Sequence, residues 1–290
     1  MRGVGQSELG KELSESQRAA LISLLGDDDQ AVYEEIRARL ISCGPIAATW
    51  LRPHRLSGDP ALRRRAQELV NHFDRQTADD RFLFFCLKQG SDLDIEEGAW
   101  LLAGTKHPAI NIEGYRALLD GFAAELRDRV PPGIKPQQLL SKINQYLFSE
   151  LSFVGNESNY FDPDNSYLNR VLDRRTGNPI SLSLLYILVA KRLKVPITGI
   201  GLPGHFICRH QSTSSETYID PFNRGKFLTK ADCIHYLARA NYSLRDEYLT
   251  PANPRRMLLR ICSNLHQIYM QLEQADECTR LQRYVVALAK

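Results

Sequence analysis

The chain has no CxxC pair and no Cys/His cluster at zinc-ligand spacing, although it holds six cysteines, at 43, 86, 208, 233, 262 and 278. That excludes a zinc finger or ribbon. Most of these cysteines fall in apolar periodic stretches, where a free thiol packs as a small hydrophobe. Such usage suits a reducing compartment rather than a disulfide scaffold. A long apolar run is also missing: the longest, residues 184–190, is far short of the roughly 20 residues that span a bilayer. The opening stretch MRGVGQSELGKELSE has no apolar core of the signal-peptide kind. The expectation is a cytoplasmic protein without a membrane partner. Charge of one sign is scarce as well, and a net +3 over 290 residues is too small to argue for nucleic acid or anionic lipid. The densest basic stretch, residues 52–65, lies on a helical pattern and reads as a solvated face.

What remains is the composition of an ordinary globular protein, 43% apolar and 24% charged, in a chain long enough for two domains. The first part is helical. DDDQAVYEEIRARL (27–40) and SGDPALRRRAQELV (57–70) align at an offset of thirty residues. Asp29 matches Asp59, Ala31 matches Ala61, and Val32, Ile36 and Leu40 match Leu62, Ala66 and Val70. That is the spacing of one helix face, entered each time through an Asp turn able to cap free N–H groups. The repeat suggests a short α-solenoid similar to HEAT repeats; two similar helices of one bundle are the alternative. Further amphipathic helices follow in DLDIEEGAWLLAG, INIEGYRALLDGFAAELRDRV and, after the break VPPGIKP, in QQLLSKINQYLFSEL. The tail from Pro254 onward is a helical hairpin close in character to a tetratricopeptide unit.

Between these helical parts lies SFVGNESNYFDPDNSYLNRVLDRRTGNPIS, rich in turn residues. Asp162, Asp164, Ser166 and Asp173 imitate part of a calcium loop, but Tyr167 stands where the sharp turn needs glycine, so no metal is expected. GNPISLSLLYILVAKRLKVP then reads as a buried helix with Asn178 as N-cap and Pro179 at the first helical position. ITGIGL, HFICRH and ETYID read as short strands, separated by Pro-Gly and by a Ser/Thr turn at 211–215.

The order is therefore buried helix, strand, strand beginning with His205, strand ending in Asp220. In a papain-like or transglutaminase-like core, a cysteine at the N-terminus of the buried helix is the nucleophile, favoured as thiolate by the helix dipole. The histidine moves the proton and the aspartate orients the ring. His205 and Asp220 fit the last two roles. No cysteine stands at the helix start. The hydroxyl nearest to it is Ser181, a harder nucleophile to activate, while Cys208 lies three residues from His205 and should face the opposite side of its strand.

These residues resemble a known family. FVGNESNYFDPDNSYLNRVLDRRTGNPISLSLLYILVAKRL, GLPGHFICRH and YIDPFNRGKFLT are similar to the bacterial transglutaminase-like/tetratricopeptide proteins, known for the SirB-type invasion-gene regulator, with a related region in an F-box protein of animals. The family pattern Gly-x-Pro-Ile-Ser-Leu, Pro-Gly-His-Phe, Asp-Pro-Phe falls on 177–182, 203–206 and 220–222. The resemblance implies an α+β, mostly helical chain with a transglutaminase-like core, a small antiparallel sheet and a tetratricopeptide-like tail. It also implies His205 and Asp220 as a retained pair in a branch that generally lacks the cysteine. The expected organisation is a HEAT-like region over 1–78, a transglutaminase-like domain over 79–250 with its core at 150–228, and a helical hairpin over 251–290. The expected function is a binding or regulatory module without a cofactor, engaging a protein or peptide. A hydrolase or acyltransferase using Ser181, His205 and Asp220 is the alternative. Asn165, Asn178, Gly204 and Phe206 are the candidate binding residues around that site.

Overall fold

The computed structural model describes residues 13–88, 93–212, 216–243 and 245–290. Most of the opening stretch and the centre of the Ser/Thr turn, 213–215, lie outside them. The chain divides into two compact units, Met1–Ala78 and Asp79–Lys290.

In the first unit, α1 (Glu15–Leu25) opens on a capping box between Ser14 and Gln17. It is followed by α2 (Gln30–Ser42), α3 (Ile46–Leu51) and the start of α4 (Pro60–Leu87). The two aligned sequence segments are the starts of α2 and α4. Asp29 accepts a hydrogen bond from the Ala31 N–H and Asp59 one from the Ala61 N–H, both at 2.8 Å. Ile36, Leu40, Ala66 and Val70, paired by the alignment, meet in one core with Leu25, Leu51 and Phe73.

The second unit takes the remainder of α4 from Asp79, then α5 (Ile95–Lys106), α6 (Ile112–Asp128) and α7 (Pro136–Asn144). A π-helical turn, Gln145–Glu150, extends α7. Next come β1 (Val154–Gly155), α8 (Leu168–Arg174) and β2 (Thr176–Gly177), with β1 and β2 forming a short parallel pair. The buried helix is α9 (Pro179–Arg192). After it come β3 (Ile197–Leu202), β4 (His205–Gln211), β5 (Glu216–Asp220), β6 (Lys226–Leu228), α10 (Lys230–Arg239) and β7 (Pro251–Ala252). The strands form an antiparallel sheet in the order β6-β5-β4-β3-β7. The chain closes with α11 (Pro254–Gln271) and α12 (Ala275–Ala289).

α9 is apolar on all sides, as a helix surrounded by protein must be, and from Pro179 to Ala190 only Ile187 escapes full burial. Leu182, Leu184, Leu185 and Leu188 contribute about 2 kcal/mol each by leaving water, against about 1 kcal/mol for a good N-cap. Packing therefore holds the helix, and the cap only sets where it begins. Its other end is fixed by Arg192, which bonds both Glu96 oxygens at 3.0 and 2.7 Å and Asp120 at 2.5 Å. Alternation along the strands divides the sheet between two cores. Phe206, Cys208 and Ile219 join the α9 side, whereas Ile200, Leu202, Ile207 and Tyr218 pack with Cys233 and Leu237 of α10. Leu258, Ile261 and Leu265 of α11 and Leu281 and Tyr284 of α12 share the core that surrounds α9. The C-terminal hairpin thus buries its apolar face against the second unit.

Candidate active-site cleft

The start of α9 is built by a capping box. Asn178 accepts through Oδ1 from the Ser181 N–H at 3.0 Å, and the Ser181 hydroxyl accepts from the Asn178 N–H at 3.0 Å. The same hydroxyl donates to the Asn165 carbonyl at 2.6 Å, and Ser181 is 1% exposed. Gly177 lies so close that a Cβ there would stand 2.6 Å from the Ser181 oxygen, so that position has room only for glycine. Ser181 is thus turned toward the backbone behind the helix, and no hydrogen bond joins it to His205. The Ser181–His205 contact that the hydrolase alternative requires is absent because the cap and the Asn165 carbonyl already engage the hydroxyl. Ser181→Ala is expected to lower stability by about 1–2 kcal/mol in urea denaturation, because it removes the buried hydroxyl's bonds with the Asn178 N–H and the Asn165 carbonyl.

His205 and Asp220 do meet. Cys208 pairs with Ile219 across β4 and β5, which places Asp220 on the same sheet face as His205 and Ile207. The His205 Nε2 lies 2.9 Å from the Asp220 Oδ2. Asp220 is buried and also accepts from the Asn223 backbone N–H at 3.2 Å and from the Asn223 side-chain amide at 2.8 Å. Burial alone would raise its pKa, but the bonds from His205 and Asn223 outweigh it and hold the carboxyl below the usual value. The His205 ring stands edge-on to Phe222 and beside Tyr236, with centroids 6.0 and 5.9 Å away. Tyr236 donates its hydroxyl proton to the Pro203 carbonyl at 3.0 Å and so holds the turn before His205. That turn needs Gly204, whose φ is +73°.

His205 borders two hollows. The smaller, about 140 Å³, is lined by Tyr160, Phe161, Asn178, Pro179, Ile180, Gly204, His205, Phe206, Arg260, Asn264, Gln267 and Ile268. The larger, about 760 Å³, has Asp220, Phe222, Cys233 and Tyr236 among its walls. The small cavity brings together three of the expected binding residues, Asn178, Gly204 and Phe206, with His205. Asn165 is not among its walls. Its amide donates to the carbonyls of Asn159 and Tyr160 and accepts from the Asn156 amide, so it ties the loop together from behind. Ser181 is absent from the lining too; Pro179 and Ile180 face the cavity instead. None of the lining residues is a cysteine, serine or threonine. Cys208 is buried on the α9 side of β4, bonds the Ser183 carbonyl at 3.5 Å, and has its thiol pushed far up by burial. Cys233 lines the larger hollow but is buried, and its thiol is pushed up to about 12.

Tyr160, Phe161, Arg260, Asn264 and Gln267 also line the cavity, and nothing in their local sequence marks them as such. Arg260, Asn264 and Gln267 are spaced i, i+4, i+7, a polar stripe on an amphipathic helix, but such a stripe usually faces solvent. The acidic loop residues serve other ends. Asp162 pairs with Arg174 at 2.8 Å and Asp164 with Arg170 at 2.9 Å. Among the described residues no group of three or more His, Cys, Asp or Glu is placed to hold a metal ion.

A buried helix capped at its start meets a histidine on the second strand after it, which bonds an aspartate on the third, and residues 113–263 match the transglutaminase-like superfamily. The chain belongs to the transglutaminase-like superfamily. The match contains the starts of α9 and β4, the end of β5, and Arg260. A UPF0162 protein of Xylella fastidiosa (strain Temecula1) is 36% identical over 197 residues, 65% of this chain and 69% of that protein. A UPF0162 protein of Pseudomonas aeruginosa is 30% identical over 190 residues, 63% of this chain and 67% of that one. Mouse F-box only protein 21 is 37% identical over 141 residues, which are 44% of this chain and 21% of that protein. No solved structure matches. Among the described residues no helix is long and apolar enough to cross a membrane.

Proposed function

We propose that this transglutaminase-like chain has lost the nucleophile of the fold and acts as a binding or regulatory module, holding a protein or peptide segment in the cleft beside His205. The observation that carries the reading is the wall of the small cavity at the start of α9: Pro179 and Ile180 stand there, with no thiol or aliphatic hydroxyl. Proline at the first helical position removes more than a side chain. It also lacks the N–H that a cysteine there would offer to a developing oxyanion. The His205–Asp220 pair then serves as a rigid wall instead of a proton relay. The helical flanks, HEAT-like and tetratricopeptide-like in their sequence spacing, would add partner surface. The matched stretch is about a fifth of the mouse F-box only protein 21, which suits a portable module. The hydrolase or acyltransferase alternative would need Ser181 to leave two backbone partners in a buried site, which is costly.

The test has two arms. Incorporation of a fluorescent primary amine into a glutamine peptide, and hydrolysis of that peptide, are expected to be no faster with the wild type than with His205→Ala. On a peptide array, His205→Ala is expected to keep the wild-type set of captured peptides, while Asn264→Trp, which fills the cavity from α11, loses it. Turnover that depends on His205 would overturn the reading.

A further inference from the structure

The small cavity is lined by one cation and no acid. Arg260 stands in its wall, with neither aspartate nor glutamate beside it. α9 begins there, and a helix places about half a positive charge at its N-terminus. Arg260 is half-buried, and among the described residues its hydrogen bond is a long one, 3.5 Å, to the Leu202 carbonyl. Among the described residues it has no acidic partner, whereas Arg129, Arg170, Arg174, Arg192 and Arg280 each pair with a carboxylate. A guanidinium drawn partly out of water without a counter-charge is suited to receive one from outside the chain.

The surroundings select among anions. The α11 stripe sets the Asn264 and Gln267 amides along the same wall as the guanidinium. Beside them Tyr160, Phe161, Pro179 and Ile268 form an apolar wall. The volume, about 140 Å³, resembles an engineered cavity of ~150 Å³ that holds benzene, so the space admits one side chain or the end of a chain. A planar carboxylate on an apolar residue matches both the guanidinium fork and the wall. A phosphate group, with about two charges and no apolar body, would leave the aromatic wall unused.

We propose that the cavity holds a peptide by a carboxylate, either a C-terminal carboxylate or an acidic side chain, with Arg260 as its charged anchor. This rests on the binding-module reading and names the ligand chemistry of the same cleft.

The full chain is titrated with N-acetyl-leucine, N-acetyl-leucinamide, the α-amide of N-acetylglutamate and inorganic phosphate, following the His205 ring protons by NMR. At least one carboxylate probe is expected to bind at least about tenfold more tightly than the leucinamide, the scale of one charge-assisted hydrogen bond. Whichever of the two binds identifies the source as a chain terminus or a side chain. Arg260→Gln is expected to remove the preference, with Arg260→Lys recovering part of it. Arg256→Gln, an exposed change on the same helix, is expected to retain it and controls for folding. The proposal is overturned if acid and amide bind equally, if neither carboxylate binds, if Arg260→Gln changes nothing while remaining folded, or if phosphate binds as well as the carboxylates. Conversion of leucinamide to leucine in the same tube would sink the non-catalytic reading while leaving the Arg260 assignment standing.

Discussion

Pro179→Cys is expected to create a thiol that iodoacetamide alkylates about tenfold faster at pH 6 than it alkylates free cysteine, because helix N-termini lower thiol pKa values. The position is right for three reasons. Pro179 is the first residue of α9, it lines the cavity, and His205 lines the same cavity with Nε2 already engaged by Asp220. The substitution also restores an N–H that proline lacks. Cys86, Cys208, Cys233 and Cys262 are buried with their thiols held protonated, and the half-buried Cys43 and Cys278 are replaced by serine in the background used for comparison. Adding His205→Ala to the variant is expected to slow alkylation again, because the imidazole that lines the same cavity as the new thiol is then gone. The site can be confirmed by mass spectrometry of the labelled peptide. A thiol no faster than free cysteine would mean that the cleft no longer has the electrostatics of a transglutaminase-like site, and the family likeness would then be one of fold alone.

Asp220→Ala is expected to lower stability by about 2 kcal/mol at pH 7, the scale of removing a buried carboxylate from its hydrogen bonds. The buried carboxylate accepts from His205, which is half-buried, and twice from Asn223, which is exposed, so the loss falls mainly on the His205 side. The effect should depend on pH in a definite direction. Asp220 has a folded-state pKa below its unfolded value of about 3.9, so its stabilising contribution is complete above that value and disappears as pH falls through the folded-state pKa. Urea midpoints of wild type and variant should therefore differ most near neutrality and converge below about pH 4. A gap that stays constant down to acid pH would show that the carboxylate matters for its shape instead of its charge.

Much of the site's frame was legible along the chain because local rules decide it. Asn178-Pro179 before an apolar run marks a capped buried helix, and Pro-Gly before alternating residues marks the turn that leads into His205. Strand period two put His205 and Cys208 on opposite faces, and they pack there. Ser181 shows where local reading stops. At third position in the helix it looked like a nucleophile in waiting. Its hydroxyl direction depends on the Asn165 carbonyl, sixteen residues away in a loop whose path no periodicity predicts. Asn165 likewise looked like a cleft residue, and its bonds to the loop backbone keep it behind the wall.

The sequence by itself determined that this protein has a buried, N-capped helix followed by His205 and Asp220 on successive strands, and that no cysteine stands at the helix start. These are matters of residue order, spacing and cap chemistry, which act over a few residues. Only the tertiary structure decided that the cavity is walled by Arg260, Asn264 and Gln267, and that it holds no acid to answer them. Those residues lie more than fifty positions from His205, and the folding of α11 against α9 is driven by apolar burial that does not depend on which polar residues it carries past the cleft.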